Sequence, residues 1–136
     1  MPTFTIGQAA RLLGVSPETV RRWADGDQLL LERDGSGNRR IDGVSLAAFA
    51  KERARGLHPA PDEPLTSVRN SFAGIVTAVR TDDVIAQVEI QSGPHRVVSV
   101  VSREAVEELG IEIGVTVTAR VKATEVYVDR PRRHGA

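Results

Sequence analysis

The stretch "TSVRNSFAG", Thr66 to Gly74, places hydroxyl, guanidinium and amide groups side by side behind a proline-rich run. Ser67 and Asn70 supply hydrogen-bond donors, and Arg69 supplies a fixed positive charge between them. Such a set can bind an anion, because an anion accepts hydrogen bonds and attracts cations. The same residues also suit a plain strand start, with Asn70 in a turn and Arg69 in an ion pair. Both interpretations stay open at this point.

The composition excludes several classes of protein. The chain has 136 residues and no cysteine, so disulfides and thiolate metal sites are excluded. Neither a long apolar run nor a secretory signal is visible, and we expect a cytoplasmic protein without a membrane segment. His58, His95 and His134 are far apart in sequence, so we expect no metal site. Nothing resembles a nucleophile–base pair, a carboxylate pair or a phosphate loop, so we expect no catalytic residues and no enzyme.

A proline-rich stretch divides the chain. "RGLHPAPDEPLT", Arg55 to Thr66, contains three prolines and no apolar period, which favours an extended connector. The apolar spacing is helical before it and mostly alternating after it. We therefore predict an α+β protein with a domain at 1–55, a linker at 56–66, a second domain at 67–129 and a disordered tail at 130–136.

The first part predicts two short helices joined by a tight turn. Thr5 is suited to cap the first helix, and Gly14 to end it, because glycine adopts the left-handed conformation cheaply. Ser16 is suited to cap the second helix, with Pro17 at its first position. This is a helix-turn-helix, whose second helix fits the DNA major groove. The predicted inward-facing residues are Ile6, Ala9, Ala10, Leu13, Val15, Val20 and Trp23.

An arginine-bearing hairpin and a third helix follow. "LLLERDGSGNRRI" has two extended runs about a glycine-rich turn, with Arg39 and Arg40 on the returning strand. "DGVSLAAFAKERA" predicts a helix capped by Asp42. Its candidates for burial are Val44, Ala47, Ala48 and Phe49. The order of elements predicts a winged helix-turn-helix.

The pattern "TIGQAARLLGVSPETVRRWADGDQL…GNRRI" resembles the small MerR-type and excisionase-type DNA-binding domains, over about residues 4–54. In those domains the second helix enters the major groove, and an Arg-Arg wing contacts the backbone or the minor groove. The resemblance implies double-stranded DNA as a partner, with contacts from Thr19, Arg21, Arg22, Arg39 and Arg40. A helical protein–protein module with solvated arginines is the alternative.

The charge of this part limits its affinity for DNA. Residues 1–58 hold nine Lys or Arg against seven Asp or Glu, in a chain of zero formal net charge. Counterion release from so few phosphate contacts gives a modest, salt-dependent affinity. Specific binding therefore requires two or more copies held together, which the second part is expected to provide.

The second part predicts a small barrel. "FAGIVTAVR", "DDVIAQVEIQ" and "RVVSVVS" read as three strands, "SREAVEELG" as a helix, and "IEIGVTVTARVKATEVYV" as two further strands. Five strands with a helix between the third and fourth are typical of an OB-like β-barrel. A domain of about 65 residues forms a marginal core alone, so we expect burial against other copies.

"SVRN" is similar to the opening Ser-Ala-Arg-Asn of molbindin domains, also called Mop or TOBE modules. "VVSREAVEELGIEIGVTVTARVKATEV" is similar to their strand, helix, strand and Lys-Ala-Ser/Thr ending. Such domains bind molybdate or tungstate at subunit interfaces, which implies a homo-oligomer here, either a dimer or a hexamer. The implied oxyanion pocket comprises Ser67, Arg69, Asn70, Ser102, Lys122, Ala123 and Thr124.

The chemistry of a tetrahedral dianion agrees with this set, because its oxygens only accept hydrogen bonds and require donors and cations. The sequence departs from the family at Val68, where a small Ala is usual, at Ser102, where Thr is usual, and at Ala105, which lacks a hydroxyl. One lost hydrogen bond to a charged ligand costs about 1.5–3 kcal/mol.

Our hypothesis is a transcription regulator whose first domain binds DNA and whose second domain oligomerises and senses molybdate or tungstate. One alternative is an oxyanion storage protein whose first part serves assembly. Another is a DNA-binding regulator whose barrel oligomerises without a ligand.

Overall fold

A computed structural model describes residues 2–57 and 65–132. The chain forms two compact units, Met1–Glu63 and Pro64–Ala136. Most of the predicted linker and the end of the predicted tail lie outside the described residues, as do His58 and His134. The described ranges contain four α-helices and antiparallel strands, which confirms the predicted α+β class.

The first unit combines a three-stranded sheet with three helices. Its elements in chain order are β1 (Thr3–Phe4), α1 (Ile6–Leu13), α2 (Pro17–Asp25), β2 (Leu31–Arg33), β3 (Arg39–Asp42) and α3 (Gly43–Leu57). The antiparallel sheet has the order β1-β3-β2, so the returning strand of the hairpin lies in the middle.

Local hydrogen bonds fix the ends of α1 and α2. The Thr5 side chain accepts from the Gln8 N–H at 3.1 Å, and the Gln8 side chain accepts from the Thr5 N–H at 2.9 Å. Gly14 ends α1 in the left-handed conformation, with a φ of 69°. Ser16 caps α2 by accepting from the Thr19 N–H at 3.2 Å. The caps predicted from sequence are those the structure has.

The core of this unit joins the helices to β3. Its buried residues are Ala9, Ala10, Val20, Leu29, Ile41 and Leu46. Trp23 and Phe49 pack against this core and against each other, with ring centroids 4.9 Å apart. The Arg53 guanidinium lies 5.2 Å from the centroid of the Trp23 ring.

The predicted buried face of α3 is wrong in part. Leu46 is buried and Phe49 is half-buried, whereas Val44 is 63% exposed and Ala47 and Ala48 are also exposed. The Asp42 carboxylate accepts from the Ser45 N–H at 2.9 Å and so fixes where the helix starts. With that start, Leu46 and Phe49, three residues apart, face the core.

The second unit is a four-stranded antiparallel sheet with one α-helix. Its elements are β4 (Asn70–Thr81), β5 (Ile85–Ser92), β6 (His95–Ser102), α4 (Arg103–Leu109), β7 (Thr116–Val121) and a short 3-10 helix (Ala123–Glu125). The order is β6-β5-β4-β7. The long strand β4 pairs with β7 through its first half and with β5 through its second half, with a register shift between Val76 and Ala78.

The prediction of five strands is corrected to four within the described residues. The expected last strand is replaced by the 3-10 helix Ala123–Glu125 and a segment without strand pairing, 126–132. Its apolar residues Tyr127 and Val128 are 91% and 90% exposed, because this unit offers them no neighbour. The core of the unit consists of Val76, Ala86, Val88, Ile90 and Val106. Among the helices of the described ranges, none is long and apolar enough to cross a membrane.

Candidate functional site

Two of the predicted DNA-binding residues, Arg21 and Arg22, lie exposed on α2. Over residues 2–57 and 65–132, neither guanidinium has a carboxylate within 4.0 Å. Thr19 is half-buried at the start of the same helix, and its hydroxyl lies 2.9 Å from that of Ser16. The helix therefore presents two unpaired cations, with Thr19 partly engaged in its cap.

The hairpin formed by β2 and β3 places its arginines on opposite faces. Leu31 pairs with Ile41, and Arg33 with Arg39, so these four side chains share one face. Because Ile41 is buried against Val20 and its neighbours, this is the face on which α1, α2 and α3 pack. Alternation puts Arg40 on the opposite face.

The two predicted hairpin arginines have different partners. On the helix-facing side, the Arg39 Nη1 donates to the Asp25 carboxylate, at the end of α2, over 3.0 Å. On the other side, the Arg40 Nε donates to the Thr3 hydroxyl at 3.3 Å, and Arg40 lies opposite Glu32. The structure thus brings Arg39 to α2 and turns Arg40 away from it.

The tip of the hairpin is built around Asp34. Its carboxylate accepts from the backbone N–H groups of Ser36 and Asn38, each at 2.9 Å. The hydrogen bond from the Asn38 backbone is the main reason why the pKa of the Asp34 carboxyl lies below its usual value. The Arg33 Nη1 donates to the Gly37 carbonyl at 2.8 Å, which holds the Arg33 side chain along the tip.

The predicted anion-binding residues lie mainly at one end of the second sheet. Asn70, the first residue of β4, pairs with Val121, the last residue of β7, and its Nδ2 donates to the Val121 carbonyl at 3.2 Å. The chain before Asn70 and the chain after Val121 therefore leave the sheet at the same end. Six of the seven predicted residues belong to these two segments: Ser67, Arg69, Asn70, Lys122, Ala123 and Thr124.

Thr66, which sequence analysis did not assign to the site, shapes the first segment. Its hydroxyl accepts from the Val68 N–H at 3.1 Å, and its carbonyl accepts from the Arg69 Nη1 at 3.2 Å. A Thr hydroxyl often accepts from the backbone N–H two residues later, which forms a local turn. The sequence therefore contained a signal for this turn. No carboxylate of the described residues lies within 4.0 Å of the Arg69 guanidinium.

Ser102 lies elsewhere. It pairs with Ile85 at the end of the sheet where β4 finishes, and it caps α4 by accepting from the Ala105 N–H at 3.0 Å. A strand of this length spans roughly 35 Å, so Asn70 and Ser102 mark opposite ends of the sheet. One chain does not bring all seven predicted residues together.

Comparison with known proteins assigns both units. Residues 66–128 match the TOBE domain, and residues 5–41 match the MerR family regulatory protein. Molybdenum-pterin-binding protein 2 of Clostridium pasteurianum is 36% identical over 63 residues, which are 46% of this chain and 93% of that protein. The chain belongs to the molybdenum-pterin-binding protein family. Both family resemblances predicted from sequence are confirmed.

Two further proteins resemble this member of the molybdenum-pterin-binding protein family. The molybdenum transport protein ModE of Azotobacter vinelandii is 39% identical over 64 residues, which are 46% of this chain and 24% of ModE. A solved structure of a molybdate-binding protein from Sporomusa ovata is 28% identical, with a TM-score of 0.48, over 49% of this chain and 100% of that chain.

The two ranges of this chain that match the family models contain every predicted site residue. The five DNA-binding candidates lie within 5–41, and the seven anion-binding candidates lie within 66–128. In the part of the chain that the structure describes, no three His, Asp or Glu side chains are grouped to bind a metal ion.

Proposed function

We propose that the protein is a cytoplasmic transcription regulator that binds double-stranded DNA through its first unit and molybdate or tungstate through its second. The observation that carries this proposal is the presence of a MerR match and a TOBE match in one chain. The names of the relatives support a link to molybdenum, since one is a molybdenum-pterin-binding protein and another a molybdenum transport protein. No catalytic step is proposed.

The anion-binding site is proposed at the shared end of β4 and β7. Arg69 and Lys122 supply positive charge, and the hydroxyls of Ser67 and Thr124 supply neutral donors. Ala123, which follows Lys122, allows an oxygen of the ligand to approach the backbone N–H groups. The Asn70 amide already donates to Val121, so it ties the two segments together and orients the site.

Ser102 is proposed to contribute from another copy of the chain. Its Oγ accepts from the Ala105 N–H, which leaves its own proton free to donate to an oxyanion. Because Ser102 lies at the far end of the sheet from Asn70, a site that contains both needs two chains. Binding then favours assembly, and assembly changes the spacing of the DNA-binding units, which links the anion to regulation.

Calorimetric titration with molybdate, tungstate and sulfate, with the mass of the assembly followed in parallel, tests the anion site. We expect heat with molybdate or tungstate, and a binding constant at least tenfold weaker in Lys122→Ala and in Arg69→Ala, because each variant loses a charged donor. Lys51→Ala, which removes an exposed cation from the first unit, is the control. Absence of heat with every anion would leave the unit as an oligomerisation module without a ligand.

Salt-dependent DNA binding tests the first unit. The probe is a duplex that the protein selects from a random-sequence library, and binding is followed by fluorescence anisotropy. Arg22→Ala is expected to weaken binding and to flatten the dependence on salt, because a phosphate or base contact is lost. A storage protein would show little DNA binding, and Arg22→Ala would not alter it.

A further inference from the structure

We propose that Arg33, on the outgoing strand of the hairpin, contacts a DNA phosphate and contributes more to DNA affinity than Arg39 or Arg40. This inference rests on the proposed DNA-binding function. It assigns a role to a residue outside the five DNA-binding candidates predicted from sequence.

Arg33 and Arg39 lie on the same face of the hairpin. Arg33 pairs with Arg39 across the hairpin, and side chains paired in this way share a face. The ion pair between Arg39 and Asp25 shows that this face borders the end of α2. Arg22 precedes Asp25 by three residues and therefore lies on the same side of the helix. Arg33 thus extends the surface that begins at Arg22.

The three hairpin arginines differ in how far neighbouring carboxylates compensate their charge. The Arg39 guanidinium is already bound to Asp25, so a phosphate has to compete with a carboxylate for it. Arg40 lies opposite Glu32, and its charge acts on the Asp34 carboxyl. Neither Arg33 nor Arg40 has a carboxylate of the described residues within 4.0 Å, so the difference between these two rests on Glu32 and Asp34. Of the three hairpin arginines, Arg33 therefore has the charge least compensated by the protein.

The Arg33 side chain is held in place by the loop at the tip of the hairpin. One N–H of the Arg33 guanidinium is used by the Gly37 carbonyl, and a guanidinium has five N–H donors in all. The loop that supplies this carbonyl is itself held by the Asp34 carboxylate. Arg33 is therefore exposed and yet restrained, so less side-chain entropy is lost when a phosphate binds.

The dependence of DNA affinity on salt concentration, measured by fluorescence anisotropy on the full chain, tests this assignment. Arg33→Ala is expected to lower the slope of log K against log salt by about 0.9, and to lower affinity about eightfold at 0.1 M salt, the effect of one phosphate contact. Arg33→Lys is expected to keep most of the slope. Arg39→Ala is expected to change the slope by less than Arg33→Ala, because Asp25 already compensates its charge.

Lys51→Ala, which removes an exposed cation from α3 of the same unit, is the matched control, and thermal melts verify that each variant is folded. If Arg22→Ala flattens the slope while Arg33→Ala behaves like Lys51→Ala, the assignment of Arg33 is wrong and the proposed function stands. If the wild-type protein shows no salt-dependent DNA binding, the proposed function and this inference both fail. A larger loss in Arg39→Ala than in Arg33→Ala also overturns the inference.

Discussion

Arg39 and Arg40 are adjacent and identical in type, yet the structure gives them different surroundings. Strand alternation sends one toward α2 and Asp25, and the other toward Thr3 on the opposite face. Two adjacent arginines in a sequence therefore do not always supply two cations that are free to bind a phosphate. The availability of each depends on its carboxylate neighbours, which come from distant parts of the chain.

In the second unit, Lys122 also has an acidic residue near it in the chain, Glu125. Lys122 and Glu125 flank a 3-10 turn in which the Glu125 N–H donates to the Lys122 carbonyl at 2.8 Å. This hydrogen bond closes the turn and brings the backbones of the two residues together. Glu125 is thus placed to repel an anion that approaches Lys122.

We expect Glu125→Gln to tighten the binding of molybdate. The gain should be two- to threefold, since an exposed charge interaction is worth about 0.5 kcal/mol. Calorimetry at low ionic strength measures it, and Glu112→Gln, an exposed residue before β7, controls for net charge. An equal gain in both variants would show that only the overall charge matters, and a loss in Glu125→Gln would contradict the placement of the site.

At the scale of elements, the strand β4 organises the second unit because it serves two neighbours. Its first half pairs with β7 and its second half with β5, and the changeover lies near Gly74. A Cβ built on Gly74 would come within 2.4 Å of the Gln91 carbonyl oxygen on β5. The absence of a side chain at this position permits the close approach of the two backbones.

Gly74→Ala is therefore expected to destabilise the second unit. The collision is with backbone atoms, so strands have to move apart, at a cost of about 1–3 kcal/mol. Thermal unfolding measures the effect, and Gly7→Ala in α1 is the control with the opposite sign. The nearest atom to a Cβ on Gly7 is 4.0 Å away, and alanine favours a helix by about 0.5–1 kcal/mol over glycine. An unchanged melting temperature in Gly74→Ala would show that the strands adjust freely.

The elements that sequence analysis predicted well depend on neighbouring residues. Thr5, Gly14 and Ser16 act within three or four residues of themselves, so their roles could be predicted from local pattern. The buried face of α3 depends on where Asp42 starts the helix, and a shift of one or two residues rotates the face. The ion pair between Arg39 and Asp25 and the proposed role of Arg33 depend on strand register and on a contact between elements, which no local pattern contains.

At the scale of the whole molecule, the second unit leaves apolar surface uncovered. Val98 and Val100 on the edge strand β6 are exposed, and Tyr127 and Val128 follow β7 without a strand partner. Exposed apolar side chains at the edges of a small domain commonly mark a protein interface. Tyr127 and Val128 belong to the expected fifth strand, so we expect these two residues to be buried against other copies.

We expect the double variant Tyr127→Ser, Val128→Ser to weaken self-association at least tenfold. Each apolar side chain buried at an interface is worth about 1.5–3 kcal/mol, and two are removed from every copy. Light scattering over a range of protein concentrations measures the mass. Val44→Ser, which alters an exposed apolar residue of the first unit, is the control. A wild-type protein that stays monomeric, or a double variant of unchanged mass, would contradict this prediction.

The position of Ser102 and Asn70 at opposite ends of the second sheet has a consequence for physiology. If one oxyanion needs groups from two chains, ligand capture and subunit association share one equilibrium, and apparent affinity rises with protein concentration. The abundance of the regulator then sets the oxyanion level at which it responds. A cell that synthesises more of this protein would lower its own response threshold, with no change in any residue of the pocket.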